Sequence, residues 1–428
     1  MRKPLAAIIA VSTAAQLWLA YRYYGFLTGD DVEVLSEAFR RARRLAYTPW
    51  DIRNLFVPDV VVAPVVWLTR GMSTRTTIFL ASLPFIALSS LTVWLVYRLA
   101  LRWCDERAAL VAALLFAAHW IPLSFGSTVY PRTLAAACVV AAALIVDRWP
   151  FAAGLLIGVA FADRFSEIVF LAPVLRMQAL KVMLGTALAI AITIGVYDWI
   201  TWGTPFSSAI KFAHLTLIEP DFASRVKYQA PWWYFANIVR WCSPALLPLL
   251  WYARRSRMIW CIVVPLFAFS AIKHKELRYL EVIIPFLCIA AAIGFASLGA
   301  RASCPPDLAE DERSPQRAGR PRSQVAIALV AISVIWNLHG LRYLARKSQP
   351  SVMAAQWIAS NRSIHSIAAS QLRSYGDKLY LGHQMSMLDV GNPPAKLAEV
   401  TADGVCLFAR DPDVCDRAAP PAAHCSVP

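Results

Sequence analysis

The stretch Ala271–Leu287, AIKHKELRYLEVIIPFL, decides how this chain is read. Lys273, His274, Lys275, Glu276 and Arg278 crowd its first half, and an almost wholly apolar run containing Pro285 follows. An ionisable group inside hydrocarbon costs about 3 kcal/mol, so a cluster at the mouth of an apolar segment marks a polar site at a membrane face. A second polar cluster, Asp30-Asp31, stands just after the first apolar segment of the chain.

The rest of the composition agrees with a membrane setting. Of 428 residues, 58% are hydrophobic and 16% charged, which excludes an ordinary soluble domain and indicates a polytopic membrane protein. The net charge of +15 fits Arg and Lys concentrated in loops that face anionic headgroups better than it fits nucleic-acid binding. The chain has no glycine-rich phosphate loop, zinc-spaced cysteine set or internal repeat. Cys104, Cys138, Cys242, Cys261 and Cys288 lie in or beside apolar stretches and are expected to pack as thiols. Cys406, Cys415 and Cys425 cluster near the C-terminus, where an oxidising compartment would allow one bridge and leave one thiol over. The first 21 residues are basic then apolar and lack a small-x-small cleavage site, so a retained signal-anchor helix is expected.

Hydropathy predicts an all-α polytopic membrane protein with about eleven spans. These are Pro4–Ala20, Thr76–Tyr97, Ala108–Leu123, Thr133–Val146, Phe151–Ala162, Phe165–Leu175, Val182–Trp199, Trp232–Trp251, Met258–Ala271, Leu280–Leu298 and Gln324–His339. Residues 1–343 form the membrane domain, with an external loop at 21–75 and a flexible cytoplasmic loop at 300–323. Residues 344–428 are read as a small extracytoplasmic soluble α/β domain, with a helix at Ala354–Ala359 and strands at Lys378–Leu381 and Val405–Phe408.

Loop charge orients this layout. Arg2/Lys3, Arg98/Arg102/Arg107, Arg148, Arg176/Lys181, Arg254/Arg255/Arg257 and the Arg301–Arg322 loop share one side, the cytoplasmic one. The polar clusters and the tail then share the other. Arg40, Arg41, Arg43 and Arg44 break the pattern, and an amphipathic helix from Val32 to Leu45 on the outer surface, arginines toward lipid phosphates, reconciles them. The proline-containing stretch Val57–Leu68 reads as a surface or re-entrant helix.

Two sets of residues carry chemistry. Asp30 and Asp31 are adjacent and point in different directions, so one can face a site as a general base while the other caps a helix. Glu37 lies two turns beyond Asp30 on roughly the same face. His274, Lys275 and Arg278 are a cationic set suited to a phosphate, Glu276 can orient one of them, and snorkelling at the interface accounts for the Lys and Arg alone. Arg132, Arg164 and Asp198 are further ionisable groups beside apolar runs on that side. The acid pair with His274 can also be written as a divalent-cation site, although no spacing demands a metal.

These residues resemble the GT-C membrane glycosyltransferases, in particular the lipid-phosphate-mannose-dependent mannosyltransferases of N-glycan and GPI-anchor assembly. Their late HKE-x-RF/Y motif is similar to His274-Lys275-Glu276-Leu277-Arg278-Tyr279. Their first-loop acidic motif, later Glu, T-W-E segment and Arg resemble Asp30-Asp31, Glu37, Thr48-Pro49-Trp50-Asp51 and Arg53. Gly29 stands where the family has Pro, and Asp31 where it has Glu, which leaves open which acid is the base. Tyr197-Asp198 with Trp202–Phe206, and Trp232-Trp233-Tyr234, are similar to two further family segments.

The resemblance implies a GT-C helical bundle that moves a hexose, mannose above all, from a polyprenyl-phosphate donor to a hydroxyl of a glycolipid, glycan or protein on the non-cytoplasmic face. Inversion, Asp30 (or Asp31) as general base, and a donor-phosphate site at His274, Lys275, Arg278 and Tyr279 follow from it. Glu37, Arg53, Arg132, Arg164, Asp198 and Glu276 would support them. The Ala- and Arg-rich composition points to a bacterial inner-membrane member with its site in the periplasm. The alternative is a lipid-linked-sugar transporter or flippase, whose charges would line a path near the midplane.

Overall fold

The computed structural model describes residues 3–23, 27–45, 47–174, 179–219, 228–300, 316–345, 366–369, 379–380, 386–389 and 405–408. They are mostly helical. Among the described residues, three helices are long and apolar enough to cross a membrane: α1 (Lys3–Arg22), Thr74–Ala100 and the continuous Ala179–Trp202. Shorter apolar helices include Arg132–Ile145, Pro150–Asp163, Arg257–Ala271 and Ile284–Leu298.

Several expected spans are interrupted. Trp232–Trp251 divides into Trp233–Ala236, Ile238–Trp241 and Leu246–Ala253. Its second break falls at Ser243-Pro244, where proline removes an amide and clashes with the preceding turn. Ala108–Leu123 breaks at His119, whose Nε2 bonds Trp241 O at 2.9 Å while its Nδ1 accepts the Ile121 amide. Phe165–Leu175 is a 3-10 segment, Phe165–Phe170, followed by one turn, Leu171–Val174. The chain leaves the preceding helix at Arg164, whose φ of −148° and ψ of 116° are extended.

Close packing holds the neighbouring pair. A Cβ at Gly154 would sit 2.0 Å from Val182 O, and one at Gly185 2.1 Å from Phe151 O. Only glycine lets the two backbones approach so closely, as in small-residue contacts between membrane helices. Thr186 Oγ1 adds a hydrogen bond to Gly154 O at 3.1 Å.

The loop at 21–75, expected to be external, is built on α2 (Gly29–Arg43). Leu35, Ala38, Phe39 and Ala42 recur at i, i+3, i+4 and i+7 and are buried against Val57, Val62, Val66, Ile78 and Phe85. Burying a Leu or Phe of this kind contributes about 2 kcal/mol. The helix is therefore a packed element, which corrects the expectation of a helix lying on lipid. Three of its arginines are held by protein groups, Arg40 and Arg43 half-buried and Arg41 exposed. Arg40 and Arg41 pair with Glu37, Arg41 also reaches Asp59 at 2.9 Å, and Arg43 donates to Thr69 O at 2.6 Å. The stretch after it is a π-helical turn, Pro58–Val62, running into Ala63–Leu68.

At the C-terminal side, the helix over Gln316–Ala345 begins inside the stretch expected to be loop. The call on 301–315 lies outside the described residues, as do Ala354–Ala359, Cys415 and Cys425. Strands β1 (Ser366–Ala369), β2 (Ser386–Asp389) and β3 (Val405–Phe408) form a parallel sheet of order β2-β1-β3. The expected strand at Val405–Phe408 is present, whereas Leu379-Tyr380 is helical and buried against the α2 cluster.

Candidate active site

The two adjacent acids part at the start of α2. Asp31, at the third helical position, folds back so that its Oδ2 accepts the amides of Leu27 at 2.7 Å and Thr28 at 3.2 Å. Those are donors left unpaired by the helix start, and satisfying them is a capping role. Asp30, one residue earlier and 100° around the helix, faces the protein interior. Its side chain is 8% exposed, and three guanidinium groups surround it. Arg53 Nη2 hydrogen-bonds Oδ1 at 3.1 Å, Arg164 Nη2 lies 3.0 Å from Oδ1, and Arg278 Nη2 lies 3.4 Å from Oδ2.

Each arginine arrives from a different part of the chain. Arg53 lies in the external loop, Arg164 follows the helix Pro150–Asp163, and Arg278 sits in the 3-10 turn Leu277–Val282. Arg53 also pairs with Glu33 at 2.9 Å, and Arg278 with Glu276 at 2.6 Å. Arg164 contacts Asp30 without hydrogen-bond geometry. The three guanidiniums are thus matched by three carboxylates, Asp30, Glu33 and Glu276, and a second anion would compete with these acids for the arginines.

The acids respond in opposite senses. Burial opposes the charge on Asp30, but Arg164, Arg278, Arg53 and Arg132 outweigh it and hold the carboxyl well below the usual range. Burial dominates at Asp31 and raises its pKa to about 6 against the two amide hydrogen bonds. Burial also opposes the charge on Glu276, where Arg278 and His274 prevail and lower the pKa.

The His274–Tyr279 segment divides its labour. His274 Nε2 lies 3.2 Å from Glu276 Oε1, and its ring stands edge-on to Tyr279 at 5.8 Å. The Tyr279 ring also carries Arg132 at 4.4 Å and Arg278 at 5.8 Å. Lys275 turns away. It is buried, and its Nζ donates to Gln229 O at 3.0 Å and to Ile272 O, which tethers the segment to the loop before Trp232. The bridge between Tyr228 and His274 is part of the same anchor.

The remaining expected residues surround the site. Arg132 is ion-paired to buried Glu167. Glu37 is committed to Arg40 and Arg41. Asp198 accepts from Asn54 Nδ2 at 3.1 Å and from the Ser208 amide at 2.8 Å, so it latches the external loop to the end of Ala179–Trp202. No group of three or more metal-binding side chains occurs among the described residues.

Residues that sequence reasoning passed over also appear. Glu33, one turn after Asp30, shares Arg53 with it, and the i+3 spacing was the available signal. Glu281, buried in the apolar run, accepts from Thr133 Oγ1 at 2.9 Å, and its signal was a lone acid among aliphatics. A cleft holding about 420 Å³ of empty space opens beside the arginines, lined by Glu33, Tyr47, Trp50, Arg53, Asn54 and Arg164 among others.

A helical membrane fold with a buried acid among cations at the edge of an external loop defines a class, the GT-C glycosyltransferases, and the comparisons agree. Residues 47–386 match the Alg9-like mannosyltransferase family, so the chain belongs to that family and is an integral membrane glycosyltransferase. Its fold is similar to ArnT from Cupriavidus metallidurans bound to undecaprenyl phosphate, with TM-score 0.61 and 16% identity over 89% of this chain and 85% of that one. It is also similar to the archaeal oligosaccharyltransferase AglB from Archaeoglobus fulgidus, in complex with an inhibitory peptide and a dolichol-phosphate, with TM-score 0.57 and 10% identity over 90% of this chain and 64% of that one. No curated protein sequence matches the chain.

Proposed function

We propose that the protein transfers a hexose, mannose by its family, from a polyprenyl-phosphate donor to a hydroxyl on the non-cytoplasmic face, with inversion at the anomeric carbon. The observation that carries this reading is the placement of Asp30 between Arg278 on one oxygen and Arg53 with Arg164 on the other. In the reaction, the acceptor oxygen attacks the anomeric carbon and the bond from that carbon to the phosphate oxygen breaks. Asp30 takes the hydroxyl proton, and the electron pair leaves on the polyprenyl phosphate.

Arg278, with His274 and Tyr279 beside it, receives the donor phosphate, and Arg164 is the second guanidinium within reach. Three guanidiniums on Asp30 make it a weak base while the site is empty. An entering phosphate competes for the same cations, loosens their hold on Asp30 and raises its basicity when the acceptor needs it. Bidentate arginine–phosphate geometry then stabilises the departing charge. Donor-first binding follows from this sequence. A lipid-phosphate carrier also accompanies both similar structures, ArnT and AglB. A bacterial inner membrane with a periplasmic site suits the basic loops of the sequence.

The test is transfer of radiolabelled mannose from polyprenyl-phosphate-mannose by the purified chain in lipid nanodiscs. Label reaching an acceptor only with the chain present supports the reading, and no transfer from this donor ends it. Arg278→Ala should raise the donor KM by about tenfold or more. An unchanged donor KM would remove Arg278 from the phosphate site.

A further inference from the structure

Tyr234 and Trp241 have no part in the reaction derived above, yet both are buried and each commits its polar side-chain atom to a main-chain carbonyl. Tyr234 Oη donates to Glu276 O at 3.2 Å, and Trp241 Nε1 donates to Tyr234 O at 2.9 Å. His119, also buried, completes the line. Its Nε2 lies 2.9 Å from Trp241 O and must carry the proton, because a carbonyl only accepts and Nδ1 of the same ring accepts the Ile121 amide. Hydrogen bonds thus run without a gap from the helix break at His119 to the carbonyl that opens the Leu277–Val282 turn.

The line exists because the chain leaves carbonyls open. The helix Ile238–Trp241 is one turn long and stops at Cys242, whose φ of −129° and ψ of 120° are extended. The donors that a longer helix would supply are missing. Pro244 has no amide proton for Arg240 O, and the Ala245 amide goes to Ser243 Oγ at 3.3 Å. Ring N–H groups take their place. Trp336 Nε1 donates to Val239 O at 2.9 Å, Trp120 Nε1 to Arg240 O at 2.8 Å, and His119 to Trp241 O. Consecutive carbonyls are therefore held from outside, which makes the segment that carries Tyr234 a fixed post.

That post holds the residue beside Arg278. Glu276 is extended, with φ −139° and ψ 148°, and its carboxylate lies 2.6 Å from Arg278 and 3.2 Å from His274. Its carbonyl accepts the Tyr279 amide at 3.1 Å as well as the Tyr234 hydroxyl. One carbonyl therefore closes the 3-10 turn and ties it to the post. The Lys275 ties differ, because they run to Gln229 O and Ile272 O and fix the chain ahead of Glu276.

We propose that Tyr234, set by Trp241 and His119, is a positioning residue that fixes the Glu276 carbonyl and, through it, the reach of Arg278 toward a lipid phosphate. The last step rests on the donor reading above.

The experiment uses the full chain in nanodiscs with undecaprenyl phosphate as the probe. Tyr234→Phe removes one hydroxyl and keeps the ring. It should raise the Kd for the probe about three- to tenfold, the worth of one hydrogen bond. Hydrogen exchange read by mass spectrometry should quicken over Leu277–Val282 and stay unchanged over Ala179–Ile190. His119→Leu should match Tyr234→Phe, and His119→Gln, which restores an N–H donor, should bring the Kd back within about twofold of wild type. The double variant His119→Leu/Tyr234→Phe should bind no more weakly than either single one, since both break the same line. Trp241→Phe removes the middle donor and covers the case in which His119→Leu does not fold. If Arg278→Ala weakens binding while Tyr234→Phe leaves either the Kd or the exchange of the turn unchanged, the assignment is overturned. Additive effects in the double variant would overturn it too. Faster exchange in the turn with a Kd that neither Tyr234→Phe nor Arg278→Ala moves would instead refute the donor reading and leave Tyr234 as the post of the turn.

Discussion

Asp30 lies within 3.4 Å of three guanidinium groups, and removing its charge alters all of them. Asp30→Asn should cut transfer by about 10²–10⁴-fold, the usual worth of a general base. Asp31→Ala removes the acceptor for the Leu27 and Thr28 amides and should cost about 1 kcal/mol of stability, with transfer within a few-fold of wild type. Turnover and thermal melts of the two variants check this, and the reverse pattern would make Asp31 the base. The pH dependence has a definite sign. The folded carboxyl of Asp30 titrates below its ordinary value of 3.8, so the ion cluster contributes stability that is fully present above pH 3.8. It is lost as pH falls toward the folded value. The melting-temperature difference between wild type and Asp30→Asn should therefore be constant from pH 5 to 7 and shift against the wild type below 3.8. At this scale the sequence named Asp30, Arg164 and Arg278 and grouped them on one side by loop charge. It left Lys275 among the phosphate ligands because the carbonyl that captures it belongs to Gln229, 46 residues away.

At the scale of elements, the His274–Tyr279 turn and the glycine-lined helix pair do separate jobs. Lys275→Met should loosen the turn by about 1 kcal/mol, since it leaves two part-buried carbonyls without their donor. The donor KM should stay within about twofold, which separates this tether from Arg278. Thermal melts and donor titrations in parallel read the two effects. Gly154→Ala places a methyl 2.0 Å from the Val182 carbonyl and must push Pro150–Asp163 away from Ala179–Ile190. A loss of about 1–3 kcal/mol in thermal unfolding is expected, together with reduced transfer, because Arg164 hangs from the end of that helix. Hydropathy located Pro150–Asp163 within one residue at each end and the continuous Ala179–Trp202 within three. It did not show where spans break, because apolar content is the same on either side of Pro244 or His119. The breaks come from a missing amide in one case and a side-chain tether in the other.

For the whole molecule, the external loop is the organising body. Its α2 packs on Thr74–Ala100, its Asn54 and Asp51 reach the Ala179–Trp202 region and Lys211, and Leu379-Tyr380 packs on its apolar cluster. The ion pair of Asp51 with Lys211 at 2.7 Å is half exposed and puts two distant loops on one face. Single cysteines at Asp51 and Lys211, in a chain whose native cysteines are replaced, should both react with a membrane-impermeant thiol reagent from the non-cytoplasmic side. A cysteine at Arg255 should be protected from it. Labelling of Asp51 and Lys211 positions from opposite sides would dismantle the site as described.

The sequence by itself determined that the chain lives in a membrane and which short motifs bear charge, because hydropathy and charge are local properties that survive without a fold. Tertiary structure alone decided that α2 is packed and not lipid-borne, that Asp30 turns inward while Asp31 caps, and that Arg53, Arg164 and Arg278 meet on one carboxylate. Arg164 and Arg278 reach Asp30 across more than a hundred residues and the α2 packing spans tens, so direction and distance there are set by packing and no spacing along the chain encodes them.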